Sequence, residues 1–162
     1  MLYKIEIKWA VIFLIMSLLW VWVEKLYGLH GPKIEKHYLY TQLFIIPTIL
    51  IYVFALREKR RKEFISGMNY RQGLITGLYV SAFITMLSPL IQLIIFEVIT
   101  PGFFDSAIQY AASSGKFTQT GAESYYCLRN FILQSMTGSV VIGNTASIVI
   151  PFFTDLPRPK KL

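Results

Sequence analysis

Apolar positions along this chain do not alternate with polar ones. They run together in four long blocks. The longest, Gly73 to Ile99, carries a single formal charge, Glu97, near its far end. About 20 apolar residues in helical conformation cross the hydrocarbon core of a bilayer, and a buried helix of a soluble protein is rarely this long and this apolar. The pattern predicts four membrane-spanning helices, over about 5–27, 38–56, 73–99 and 128–153. The expected fold is therefore all-α. It is a bundle of four transmembrane helices forming a single membrane domain over residues 1–162, with a helical extracytoplasmic connection between the third and fourth helices.

Polar and small residues punctuate the blocks. The first begins after Lys4 and Lys8, as a signal peptide would. It ends in WVWVEKLYG, which has bulky aromatics and no small-x-small cleavage site, so an uncleaved helix is expected. Trp20, Trp22 and Tyr27 read as an interfacial aromatic belt. Gly28 and Gly31-Pro32 stop that helix, and Pro47 lies inside the second. In the third, Gly73, Gly77, Ser81 and Thr85 fall four apart on one face. The fourth repeats the spacing with Ser135, Ser139, Gly143 and Ser147. Hiding apolar surface gains little in lipid, whereas small residues let backbones approach closely, so these two faces are expected to pack together.

Pro89 removes a backbone hydrogen bond and predicts a kink in the third helix. Thr100-Pro101 reads as an N-cap followed by the first position of a short amphipathic helix. That helix carries Phe103, Phe104, Ala107, Tyr110 and Ala111 and stops at Gly115. Thr120 and Glu123 have capping-box spacing and predict a helix start that leads into the fourth span.

Composition agrees with the pattern. Of 162 residues, 54% are hydrophobic and 15% charged, and the mean hydropathy is +0.51. The net charge of +7 raises nucleic acid as a partner. Yet the basic residues collect at block ends, most densely in REKRRKE at 57–63, as the positive-inside rule expects. No nucleic-acid partner is expected, and the basic run suits anionic lipid headgroups instead. With four spans, both termini and the middle loop share one side, which holds eleven Lys and Arg residues against five on the other. That asymmetry places both termini of a multi-pass membrane protein in the cytoplasm. The single cysteine, Cys127, excludes an intrachain disulfide and a cysteine metal cage.

The residues able to carry chemistry gather at the extracytoplasmic helix ends. They are Glu24, His30, His37, Gln42, Gln92, Glu97, Arg129 and Gln134. Polar groups at membrane depth are costly unless paired and tend to face the bundle interior, so they form a candidate outward-facing polar cluster with Glu97 and Arg129 as an ion pair. His30 and His37 flank Glu35, but HGPKIEKH matches no compact metal motif and Gly31-Pro32 interrupts any helix there. No metal and no cofactor is expected. No nucleophile elbow, phosphate-binding loop or dinucleotide fingerprint is present, and the expectation is a protein without catalytic activity.

From Glu6 to about Phe153 the chain resembles a family of small four-helix membrane proteins from Bacteroidota, known only as a domain of unknown function. The resemblance is carried by GLHGPKIEKHYLYTQLFIIPTILIYVFAL (28–56), YRQGLITGL (70–78), LSPLIQ (87–92), ITPGFFDSAIQYA (99–111) and ESYYCLRNFILQSMTG (123–138). It implies an inner-membrane protein and supplies no catalytic residues to transfer. The two small-residue faces, Gly73/Gly77/Ser81 and Ser135/Ser139/Gly143, suggest an accessory or scaffold subunit of a cell-envelope complex. Such a subunit would sit among membrane lipids and bind another membrane protein or itself as a homo-oligomer. The alternative is a small oligomeric transporter or lipid-handling protein that uses the polar cluster as an outward-facing pocket.

Overall fold

The computed structural model describes residues 3–115 and 117–154. Lys116 and the PRPKKL tail, both used in the charge count, lie outside the described residues. All regular structure among those described is helical: α1 (Lys4–Leu26), α2 (Ile34–Gln42), α3 (Ile45–Lys62), α4 (Tyr70–Leu93), a π-helical turn (Ile94–Ile99), α5 (Phe103–Ser113), α6 (Gln119–Tyr125) and α7 (Leu128–Thr154). Four helical segments are long and apolar enough to cross a membrane: Lys4–Leu26, Ile34–Lys62, Tyr70–Ile99 and Leu128–Phe153. We read the chain as a multi-pass membrane protein. The end of the bundle holding residue 4, the α3–α4 turn and Thr154 is termed the terminal end, and the opposite one the distal end.

α4 is the central helix, packed along α7 on one side and α1 on another, while α3 touches all three more lightly. The small residues explain the closeness of α4 and α7. A Cβ placed on Gly77 would stand 2.8 Å from Ser147 Cβ and 3.0 Å from its Cα. A Cβ on Gly73 would stand 2.9 Å from Pro151 Cβ. Further along, Thr85 and Ser139 share a hydroxyl hydrogen bond of 2.8 Å, and Ser81 Oγ donates to Ser139 O. α4 opens with a capping box, in which Asn69 and Gln72 bond reciprocally at 2.9 Å.

Several local expectations are corrected. The second span is longer than 38–56 and broken. α2 stops at Gln42, and α3 begins at Ile45. A proline ring clashes with the carbonyl four residues earlier, and for Pro47 that carbonyl belongs to Leu43. Leu43 O instead accepts from Ile46 N at 3.1 Å, a tighter turn that marks the break. α4 runs α-helical through Pro89 to Leu93, and an irregularity the sequence did not announce follows at Ile94–Ile99. Thr100 closes that turn, its amide and hydroxyl both donating to Ile95 O. The N-cap of α5 is Gly102. The cap of α6 is Thr118, which accepts from Gly121 N at 3.1 Å, and α6 ends before α7 begins.

A buried charge pair at the terminal end had no signal in the hydropathy pattern. Glu6, 1% exposed, meets Lys59 at 2.8 Å, and Lys59 also reaches Glu63. Glu58 pairs with Lys8 and Lys62 and accepts from the Trp9 indole. Two residues of the charged 57–63 run, Glu58 and Lys59, therefore clasp α3 to α1 as well as marking a membrane boundary.

Candidate functional site

Between the four long helices lies a cavity of about 280 Å³. Its floor, toward the terminal end, is Tyr52 and Ile84, both buried. Its walls are Phe13, Ser17, Val21, Phe44, Thr48, Ile91, Ile95, Ser139 and Ile142. Glu24, Thr41 and Gln92 stand toward the distal end. Local structure keeps this space open. Phe44, at the break between α2 and α3, lines it on one side, and small residues on α7, including Ser135 and Gly138, line another. Phe44, Ser135 and Gly138 are half-buried, so the cavity has a mouth in its distal half.

The walls are less polar than their composition implies. Ser17, Thr48, Ser88 and Ser135 each donate their hydroxyl to a carbonyl of their own helix. An engaged hydroxyl presents mainly its methylene or methyl, so the body of the cavity is apolar. The polar character is concentrated around Glu24.

Glu24, 4% exposed, lies in the last turns of α1. Its Oε1 accepts from the Trp20 indole at 2.8 Å and from the Thr41 hydroxyl at 2.7 Å. Its Oε2 faces His30 Nε2 at 3.3 Å. His30 reaches this place because Gly28, with φ of 78°, turns the chain back over the end of α1. His37, one turn before Thr41 on α2, completes the group. The His30 and His37 rings are 4.9 Å apart, and both pack on Phe103 of α5 at 5.3 and 5.1 Å. One ligand atom from each of Glu24, His30 and His37 lies within 4.8 Å of the others. This arrangement is capable of holding a cation.

The structure divides the eight candidate residues. Glu24, His30 and His37 come together, and Gln92 lines the same cavity. Gln42, Glu97, Arg129 and Gln134 are exposed. Glu97 and Arg129 form no ion pair. Glu97 sits on the π-helical turn with its side chain exposed, as Arg129's is. Trp20, assigned to the interfacial belt, turns inward to Glu24, while Trp22 and Tyr27 remain exposed. Thr41, Trp20 and Phe103 were not singled out as site residues. The signal was the i, i+4 pair Trp20/Glu24 next to a glycine turn, in a span otherwise free of carboxylates after Glu6.

Residues 8–156 match the family model described as "Protein of unknown function (DUF4199)". No curated protein matches the chain, and no solved structure does.

Proposed function

The chain belongs to the DUF4199 family, and from that premise and its cavity we propose that it is a membrane-embedded binding protein for an amphiphile, a lipid-handling role. The apolar part of the ligand occupies the space between α1, α3, α4 and α7. Its polar end lies toward Glu24, Thr41 and Gln92. The observation that carries this reading is the cavity itself. At about 280 Å³ it is close to twice the ~150 Å³ of an apolar cavity that takes up benzene. It is apolar along its body and polar at one end, the usual build of a ligand site. A binding role is proposed in preference to catalysis on that same build, an apolar body with one polar end.

The reading as an accessory or scaffold subunit drew on the two small-residue faces. Apart from Ser135, which lines the cavity, those faces are occupied inside the chain, α4 against α7. The proposed setting remains a bacterial inner membrane with both termini cytoplasmic, which would place Glu24 and the histidines on the extracytoplasmic side.

The test uses a filled cavity. A Cβ at Gly138 would meet nothing within 4 Å, so Gly138→Phe adds a ring to the wall without a clash at its first carbon. Native mass spectrometry from mild detergent should find lipid bound stoichiometrically to the wild type and lost from Gly138→Phe. Equal lipid retention in both would show only annular lipid and would overturn the proposal. A stoichiometric protein partner, with no lipid in the cavity, would favour the subunit reading.

A further inference from the structure

We propose that Glu24, His30 and His37 form a binding site for a divalent first-row transition metal, of which Zn2+ is the type. Two imidazoles and a carboxylate are the donor set such ions take, whereas Mg2+ and Ca2+ prefer all-oxygen sites. The geometry fits. Ligands bonded at about 2.0–2.1 Å in a tetrahedron stand roughly 3.3 Å apart, and Glu24 Oε2 stands 3.3 Å from His30 Nε2. His37 brings the third ligand within 4.8 Å of the other two, so a side-chain adjustment of at most about 1.5 Å closes the set.

The carboxylate is set for ligation. Trp20 and Thr41 both donate to Oε1, which fixes the group's orientation and leaves Oε2 facing the histidines. Outer hydrogen bonds of this kind orient metal-binding carboxylates. Phe103 packs against both rings.

Three protein ligands leave a fourth position open, as in sites where a metal meets water or a substrate. Glu24 and Thr41 belong to the cavity wall as well, so the ion sits at the distal end of the cavity. His37 also borders a second groove, of about 220 Å³, between α2 and α5, which gives an ion a route in. The metal site does not depend on the amphiphile reading; either is testable without the other.

The experiment is Co2+ and Zn2+ titration of chelator-stripped full-length protein in detergent. Elemental analysis gives stoichiometry, and the visible absorption of bound Co2+ reports coordination. One ion per chain is expected, with the intense absorption of a four-coordinate site containing nitrogen ligands, undiminished by excess Mg2+ or Ca2+. His30→Gln and His37→Gln should each abolish stoichiometric binding. Thr41→Val keeps all three ligands and should weaken binding about 10–100-fold. Circular dichroism and elution volume establish that each variant is folded. Absence of Co2+ and Zn2+ binding by the folded wild type would overturn the proposal, as would folded His37→Gln and His30→Gln that bind as the wild type does.

Discussion

Gly77→Ala measures how closely α4 and α7 must approach. The added Cβ would lie 2.5 Å from Ser147 Oγ, 2.8 Å from its Cβ and 3.0 Å from its Cα. Saturated carbons sit comfortably at about 3.5–4.0 Å. A new rotamer of Ser147 relieves only the first contact. The other two involve the Cβ and Cα, so the helices must part by roughly 0.5–1 Å. A gap of that size forfeits about a quarter to a half of the dispersion attraction at each affected contact. Overpacking of this kind costs about 1–3 kcal/mol. Gly138→Ala lies on the same helix pair, where an added carbon meets nothing within 4 Å, and should stay within about 0.5 kcal/mol of the wild type. Unfolding in mixed detergent micelles with increasing dodecyl sulfate, followed by circular dichroism, gives both values. Adding Ser147→Gly to Gly77→Ala removes the Cβ and Oγ contacts and should recover part of the loss. Equal midpoints for Gly77→Ala and Gly138→Ala would show that the small-residue faces do not set the helix spacing.

Three other outcomes follow from the charges. Lys59→Met leaves Glu6 buried beside an apolar chain and should cost about 3–5 kcal/mol, while Glu6→Gln/Lys59→Met should regain much of it in the same unfolding assay. Glu97→Gln and Arg129→Gln, each exposed and not paired with the other, should be additive and each within about 0.5 kcal/mol of the wild type; a coupling above that would restore the ion pair. In a Cys127→Ser background, a cysteine at Lys36 should react with an impermeant thiol reagent added to intact cells and one at Arg61 should not; the reverse pattern would invert the proposed orientation.

Hydropathy made the four spans legible, because a bilayer demands length and apolarity that few other settings do. The α4–α7 contact was legible for a related reason: glycine and serine at every fourth position have few uses in lipid besides close approach. The break at 43–44 was not. Pro47 was noted, yet its effect falls four residues earlier, on Leu43 O, and no residue there announces it. The charge clasp was also hidden, since Glu6 and Lys59 lie 53 positions apart and Lys59 read only as part of a boundary charge run. Local spacing governed the expectation at the histidines. The HGPKIEKH stretch was set against single-helix motifs, whereas the third partner is Glu24, across a glycine turn on another helix. The four polar residues that do not join the site, Gln42, Glu97, Arg129 and Gln134, were grouped by depth alone. Depth does not distinguish the inner from the outer face of a helix.

Trp20 offers the most direct test of whether the cavity takes an apolar chain. Its indole lines the cavity and bonds to Glu24, and replacing Trp9 and Trp22 by Phe leaves it the sole tryptophan of the three. Reconstituted with lipids brominated along the acyl chain, the single-tryptophan protein should show strong quenching of Trp20 that Gly138→Phe largely removes. Quenching that is unchanged by Gly138→Phe, or absent from the start, would mean that no acyl chain enters the space between the helices.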